Sequence, residues 1–306
     1  MMDFLRDIRS GFRLLLRAPG FAMTAILTLA LGIGATTALF TVVNAVLLEP
    51  LPFPDSNRLI QVWRSELPAL TYGSASYGRY LDWRQHQRVF TDLGAWSPRG
   101  VTMAGPQGPE RLPGATASAS FFKVIEAPAV IGRYFSDEED RIGAERVAVI
   151  SEGLWKRRFE QSPEVIGSSV NIDGEPYTVI GVAPSGFAEV WRLDVWLAVG
   201  RQADPTNRGS NFLLSFGRLR DGVTLDEARR GLADLAAQMS REHPQDKYTF
   251  TARPVHEVIT ENAKRGLWML LGATGLLLLI ACTNVANLLL ARAVVRERDL
   301  AVRASL

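Results

Sequence analysis

Two long uncharged runs constrain this chain more than any other feature of its sequence. The first extends from Phe21 to Leu48 over about 28 residues, and the second from Gly266 to Ala291 over about 26 residues. Both exceed the roughly 20 apolar residues that a helix needs to cross the hydrocarbon core of a bilayer. A cleaved signal peptide has a shorter apolar core, of about 7 to 15 residues. The sequence therefore predicts transmembrane helices at 21–48 and 266–291.

The charges beside these runs predict their orientation. Flanks that stay in the cytoplasm retain an excess of Lys and Arg. We therefore expect both termini to be cytoplasmic and residues 49–265 to form a translocated, periplasmic domain in a bacterial inner membrane. The arginines that support this orientation are Arg6, Arg9, Arg13 and Arg17 before the first run, and Arg292, Arg296, Arg298 and Arg303 after the second.

Residues 1–20 have the pattern of a cytoplasmic amphipathic helix. Phe4, Ile8 and Phe12 recur at helical spacing, with arginines elsewhere on the wheel, which favours a helix lying on the membrane surface. Pro19-Gly20 would end that helix before the first run begins. The arginines also serve as topology signals, and the two interpretations are compatible.

Small and polar residues within the runs predict packing against further helices. Ala30, Gly34 and Ala38 recur at every fourth position, which places small side chains on one helix face. Asn284 and Asn287 put amides in the second run, where they need partners on another helix. A larger bundle is the preferred interpretation, and two passive anchors are the alternative.

Both ends of the translocated domain show a strand, helix, strand pattern. Leu59–Trp63 is strand-like, and Ser76 can cap the helix that follows. Further on, Phe212, Leu214 and Phe216 alternate as in a half-buried strand. These signals predict two compact βαβ-like halves, each joined directly to one apolar run.

The second half carries the strongest helix signal in the domain. Thr224 and Glu227 form a capping box, and a strand is expected at Tyr248–Ala252. The helix between them is predicted to bury Ala228, Leu232, Leu235 and Met239, which recur at helical spacing.

The sequence pattern in the middle of the domain differs from that at its ends and predicts short strands and turns. Glycines and prolines from Gly105 to Pro113 suggest a boundary, and a β-rich insert is expected at about 114–205. Within it, Val147–Ile150 is strand-like, Ser151 can cap a helix, and Asp173-Gly174 predicts a hairpin turn. The predicted fold class is α+β, with two transmembrane helices flanking a periplasmic domain of βαβ-like halves and an inserted β-rich subdomain.

The sequence lacks motifs typical of catalytic, nucleotide-binding or metal-binding sites. No glycine directly precedes a lysine, which excludes a Walker A loop, and His86, His243 and His256 lack metal-ligand spacing. Ser136 with Glu139 fits a helix cap better than a calcium loop. The net charge of +2 gives no case for nucleic acid. We expect no enzyme activity, no metal and no cofactor in this chain.

Several strings give the chain a resemblance to MacB-type, FtsX-like permeases of the ABC transporter superfamily, and most of all to the duplicated orphan permeases described from acidobacteria. The resemblance covers nearly the whole chain. It rests on Asn44–Pro54 (NAVLLEPLPFP), Leu81–Trp96 (LDWRQHQRVFTDLGAW), Val149–Phe159 (VISEGLWKRRF), Val165–Pro184 and Asn284–Arg303 (NVANLLLARAVVRERDLAVR).

This resemblance implies a function and partners. The family's cytoplasmic ATPase is a separate subunit that binds ATP, and residues 292–306 would form the coupling segment that contacts it. Members also pair with a second permease copy or repeat. The family continues into at least two more spans, so a truncated product or a partial sequence is expected here. The implied coupling residues are Arg296, Glu297, Arg298 and Arg303.

Two functions from different classes follow. The preferred one is the permease part of an ABC-type efflux or mechanotransmission system, in which a separate ATPase moves the spans and the external domain. The alternative is a membrane-tethered binding or sensor module that recruits or regulates another protein.

Overall fold

The two apolar runs form helices in a computed structural model that describes residues 19–65, 72–105, 108–245 and 248–304. Helix α1, Pro19–Val43, continues into a π-helical turn at Asn44–Leu48, and the last helix, α7, is Val255–Ala304. By length and composition, both are able to cross a membrane. The predicted surface helix at 1–20 lies outside the described residues, apart from its last two positions.

Contacts divide the chain into two units. A helical unit comprises the chain up to Glu49 and from Thr260 onward, and a globular unit comprises Pro50–Ile259. In the helical unit, the two apolar helices contact each other at Gly32. A Cβ added at Gly32 would lie 3.0 Å from Cδ1 of Leu278 and 3.6 Å from Cβ of Ala281. The glycine therefore permits a close approach of the two helices.

Four antiparallel strands within one larger sheet come from the two ends of the globular unit. The strand order is β10-β1-β9-β2. Strand β9 of the C-terminal βαβ pattern therefore lies between β1 and β2 of the N-terminal pattern, and β1 lies between β9 and β10. This is a split βαβ arrangement. The two βαβ patterns predicted from the sequence are present, and their strands interleave in one sheet. The elements are β1 (Leu59–Ser65), α2 (Tyr77–His86), β2 (Phe90–Met103), β9 (Leu214–Leu219), α6 (Leu225–Glu242) and β10 (Thr249–Pro254).

Local capping signals are confirmed in these elements. The Ser76 hydroxyl accepts from the Arg79 amide at the start of α2, and Thr224 and Glu227 form a reciprocal capping box at the start of α6. The alternation predicted for Phe212–Phe216 is wrong. Strand β9 begins only at Leu214, and its next five residues are all buried, because helices and side chains cover both faces of the sheet.

The inserted strands extend the same sheet. Strand β2 is 14 residues long and pairs with β9 through its first part and with β3 through its second part. Beyond β3 the order is β8-β5-β7-β4, with β6 pairing β7. The elements are β3 (Glu110–Ala117), α3 (Ala119–Ile125), β4 (Ile131–Gly132), β5 (Val147–Ser151), α4 (Glu152–Phe159), β6 (Ser169–Ile172), β7 (Glu175–Ala183), α5 (Ser185–Trp191) and β8 (Val195–Ala198).

The segment from Gly105 to Pro113 lies between two paired strands and overlaps the start of the second, β3. Strand β3 already begins at Glu110, and Pro113 pairs with Gly100 of β2. Pairing with β8 starts one residue later, at Gly114, so the sheet tolerates a proline at Pro113. The predicted insert boundaries of 114 and 205 remain predictions.

Three apolar cores stabilise the globular unit. One lies between the sheet and helices α2 and α6, with Trp83 and Leu232 at its centre. A second lies inside the insert around Ile150 and Val179. The third covers the opposite sheet face and is rich in aromatic rings, including Phe121 and Phe216. The single sheet holds all three together.

Gly217 in β9 provides a test of this packing. A Cβ added at Gly217 would lie 2.5 Å from the ring of the fully buried Phe90. We expect Gly217→Ala to lower the free energy of unfolding by about 1 to 3 kcal/mol, because a packed ring must shift. Denaturant unfolding followed by tryptophan fluorescence measures this change. Gly153→Ala is the matched control, since its Cβ would meet only Ser151 Oγ at 3.6 Å and α4 gains helix propensity. Equal effects of the two substitutions would contradict the packing described.

Candidate functional site

The candidate site is the aromatic cluster into which the globular unit packs both of its chain ends. We call this the anchor cluster. It comprises Phe53, Phe121, Phe187, Trp191, Phe216 and Val255. Phe53 belongs to the segment that follows the first apolar helix, and Val255 is the first residue of the helix that contains the second apolar run.

Phe53 holds the first of these segments in place. Its ring stacks on Trp191 with centroids 5.4 Å apart and meets Phe187 edge-on at 6.1 Å. The neighbouring Pro52 lies so close to Gly186 that a Cβ there would be 3.1 Å away. Prolines on both sides of Phe53 stiffen the backbone, so the segment has little freedom to slide.

The other chain end enters the same cluster. Val255 is 2% exposed, and Ile259, one turn later in α7, packs against the cluster from its partly exposed side. Phe121 of α3 contacts Phe216 of β9 at 5.1 Å, edge to face, and forms the floor of the cluster. Both chain ends of the globular unit are therefore fixed to one apolar body.

A buried arginine reinforces this anchoring. The side chain of Arg218 is 1% exposed and points to the same face of β9 as Phe216. Its Nη1 donates to the carbonyls of Pro54 at 2.7 Å and Asp55 at 3.2 Å. One guanidinium thus holds the segment that leads out of the first apolar helix.

The same guanidinium also binds the end of α3. Its Nε donates to the Val124 carbonyl at 2.8 Å, and its Nη2 donates to the Ile125 carbonyl at 2.9 Å. The helix ends there because Glu126 adopts a left-handed conformation with φ 59°. The last carbonyls of a helix need donors and favour a positive charge, and Arg218 supplies both.

Electrostatics at Arg218 reflect its burial. Burial lowers the pKa of Arg218, whereas the carboxylate of Glu126, 3.3 Å from Nε, raises it. Arginine remains charged in proteins, so the buried guanidinium needs a hydrogen-bond acceptor for its donors. The sequence analysis did not single out this residue. The available signal was an arginine two positions after Phe216 in an otherwise uncharged strand.

The residues predicted for helix packing lie on the exposed surface of the helical unit. Ala30, Gly34 and Ala38 are exposed, and so are Asn284 and Asn287. The contact observed between the two helices uses Gly32 instead. A role for the predicted residues in binding further helices remains a prediction.

The predicted coupling residues lie near the end of the chain. Their backbone belongs to α7, and their side chains lie outside the described residues. Their proposed contact with an ATPase remains a prediction. The residues concerned are Arg296, Glu297, Arg298 and Arg303.

The fold and the anchor cluster define a class of protein. One α/β domain, bracketed in the chain by two helices long and apolar enough to span a bilayer, is the architecture of a membrane protein with a folded domain outside the bilayer.

The family follows from comparison with known proteins. The sequence model of the MacB-like periplasmic core domain matches residues 22–235, and the chain belongs to this family. It is therefore a MacB-like permease component, a membrane protein with an extracytoplasmic domain.

Curated relatives share part of the chain. The macrolide export ATP-binding/permease protein MacB of Burkholderia pseudomallei (strain 1710b) is 30% identical over 191 residues, which is 60% of this chain and 28% of that relative. The protein of the same name from Rhodospirillum rubrum is 27% identical over 183 residues, which is 58% of this chain and 27% of the relative. The matched stretch thus spans less than a third of each relative.

Solved structures share the fold. The periplasmic region of MacB from Actinobacillus actinomycetemcomitans superposes with a TM-score of 0.51 at 13% identity, covering 68% of this chain and 94% of that one. A domain of a putative permease from Porphyromonas gingivalis gives a TM-score of 0.51 at 17% identity, covering 66% and 92%. The predicted fold class is confirmed.

Arg218 gives a direct test of the anchor. We expect Arg218→Met to lower the free energy of unfolding by about 3 kcal/mol, because four buried hydrogen bonds to backbone carbonyls are lost. Amide hydrogen exchange of residues 50–56 should also accelerate. Arg220→Met is the control. The Arg220 side chain donates to one carbonyl, that of Phe90, so its loss should lower the free energy of unfolding by about 1 kcal/mol or less. Unchanged exchange at 50–56 in Arg218→Met would show that the guanidinium does not hold this segment.

Proposed function

We propose that this chain is the permease part of an ABC-type efflux or mechanotransmission system. ATP hydrolysis by a separate cytoplasmic ATPase moves the apolar helices, and this motion reaches the periplasmic domain. A second permease copy or repeat completes the assembly. The observation that carries the proposal is that both chain ends of the globular unit pack into one anchor cluster, within a chain of the MacB-like family.

A domain follows a displacement of its anchors only if the connecting segments are stiff. A domain that hangs on flexible linkers would absorb a displacement of its anchors, because a Gly-rich or disordered linker samples many end-to-end distances. Here Phe53 and Val255 are both buried in one core, and Arg218 binds the carbonyls beside Phe53. Such an arrangement passes on a displacement at either end, which favours mechanical transmission over passive tethering.

The names of the relatives support a function in efflux. They are macrolide export ATP-binding/permease proteins, which combine ATP binding and permease parts. This chain matches the MacB-like periplasmic core domain. We propose that the ATPase contacts the arginine-rich segment at 292–306, through Arg296, Glu297, Arg298 and Arg303, on the cytoplasmic side of a bacterial inner membrane.

The proposed orientation is tested by cysteine labelling. Cys282 is the lone cysteine, so a Cys282→Ser background allows single sites to be labelled. We expect Asp234→Cys, on the exposed face of α6, to react with a membrane-impermeant maleimide in intact spheroplasts, because residues 49–265 face outward. Ser305→Cys is the control and should react only after the membrane is permeabilised. Labelling of the Ser305 site in intact spheroplasts would overturn the orientation.

The proposed coupling is tested by charge reversal. We expect Arg296→Glu combined with Arg298→Glu to reduce co-purification of a stoichiometric P-loop ATPase at least about tenfold, since charge-paired contacts at an interface depend on sign. Arg296→Lys with Arg298→Lys keeps the charge and should retain most of the ATPase. Mass spectrometry and ATPase assays of complexes from native membranes provide the measurement. A complex without any ATPase would favour the tethered binding or sensor module.

A further inference from the structure

A cleft of about 640 Å³ opens on the globular unit, and none of its lining residues belongs to the anchor cluster. One wall is a single face of α2, formed by Tyr77, Leu81 and Arg84, which recur at helical spacing. The opposite wall is the turn at 137–142, together with Gly200 and its neighbours. The cleft therefore has a helix on one side and loop backbone on the other.

Asp140 lies in the opposite wall, where two backbone amides bind its carboxylate. Its Oδ1 accepts from the Gly200 amide at 2.5 Å, and its Oδ2 accepts from the Ala119 amide at 2.9 Å. Over the described ranges, no basic side chain forms an ion pair with it. Burial raises the pKa of Asp140 to about 6, although both amide hydrogen bonds and the charge of Arg84 lower it. A carboxylate can accept about four hydrogen bonds, so about two positions remain open.

The cationic side chains around Asp140 are engaged elsewhere. Arg84 binds Asp92 through Nε at 2.8 Å and lies 3.5 Å from Asp137. Lys123 binds Asp137 at 2.6 Å. Arg141 lines the mouth of the cleft in an exposed position, where solvent screens its charge.

Tyr77 adds a second acceptor to the cleft. The residue is 7% exposed, yet its hydroxyl hydrogen-bonds to no residue in the part of the chain that the structure describes. A Cβ added at Gly200 would lie 2.3 Å from this hydroxyl oxygen, so the hydroxyl lies directly over the backbone that binds Asp140. The hydroxyl opens into the cleft, where it can accept a hydrogen bond from a ligand.

These groups specify the chemistry of a ligand. The donors of Arg84 are held by carboxylates, which leaves the exposed guanidinium of Arg141 as the cationic donor at the mouth of the cleft. Metal ions are disfavoured, since no cluster of three or more metal-binding side chains exists among the described residues. The Asp140 carboxylate has no ion-pair partner among the described residues, so it favours a hydrogen-bond donor with positive charge. Leu81 and Ile142 provide an apolar rim beside it.

We propose that this cleft binds an organic cation, an ammonium or guanidinium group on an apolar stem, with the cationic head on the Asp140 carboxylate and the Tyr77 hydroxyl. The stem lies against Leu81 and Ile142. The head group belongs either to a free amine or to a Lys or Arg side chain of a partner protein. The site is independent of the proposed coupling to an ATPase.

Binding should depend on pH, because the ligand requires an ionised Asp140. In the empty cleft this carboxyl takes up a proton as the pH falls through about 6, above its ordinary value of 3.8. Affinity should therefore fall about tenfold from pH 7.5 to pH 5, and binding near pH 6 should release a proton. The other titratable groups that face Asp140 are Tyr77, Tyr80 and Arg84 from α2, and Asp137 and Arg141 on its own segment.

Calorimetry of the full chain in lipid nanodiscs tests the proposal with two probes. Agmatine represents a free amine, and the peptide acetyl-Gly-Arg-Gly-amide represents a partner's side chain. We expect saturable binding of at least one probe, about tenfold weaker at pH 5 than at pH 7.5. Tyr77→Phe should weaken binding about fivefold, whereas Tyr72→Phe, at an exposed tyrosine outside the cleft, should leave it unchanged. Asp140→Asn should abolish both binding and its pH dependence.

The two probes distinguish the sources of the cation. Tighter binding of agmatine assigns the site to free amines, and tighter binding of the peptide assigns it to a partner's side chain. The proposal is overturned if neither probe binds below about 10 mM while wild type keeps its thermal transition. It also fails if Tyr77→Phe, with an unchanged melting temperature, binds as wild type does. These outcomes do not depend on whether an ATPase is present.

Discussion

The buried guanidinium of Arg218 is the interaction on which the arrangement of the globular unit depends most. It satisfies carbonyls from two separate stretches, the segment that follows the first apolar helix and the end of α3. Burying a charge is costly unless its donors are all used. The aromatic anchor cluster around it supplies the apolar burial that accompanies these hydrogen bonds. Together they make the chain ends of the domain part of its core.

The sheet extends this rigidity to the insert. Because β2 pairs with β9 along one part and with β3 along the other, no flexible linker separates the split βαβ strands from the inserted ones. A long strand shared between two sets of neighbours joins the two parts directly. The cleft at Asp140 lies where they meet, between α2 and the loops of the insert.

Sequence reasoning succeeded where structure depends on neighbours in the chain. The caps at Ser76, Ser151 and Thr224 were predicted because a side-chain oxygen meets an amide two or three residues away. It failed where distant segments decide. Phe212 falls outside β9, whose residues are buried on both faces, and Ser136 forms reciprocal bonds with Glu139 in a turn without a helix following. The burial of β9 is not encoded in the local pattern, because the strands that flank it, β1 and β2, lie more than a hundred residues earlier in the chain.

The sequence by itself determined the two apolar helices, the positions of most strands and the membership of the family, since each depends on composition or on spacing along a few turns of chain. Only the tertiary structure decided that the βαβ patterns interleave, that Arg218 ties two segments together and that Tyr77 meets the backbone around Asp140. These depend on pairing between strands and loops far apart in the chain. The physical reason is that hydrophobic burial is non-directional, whereas a buried hydrogen bond forms only where the whole fold brings its donor and acceptor together.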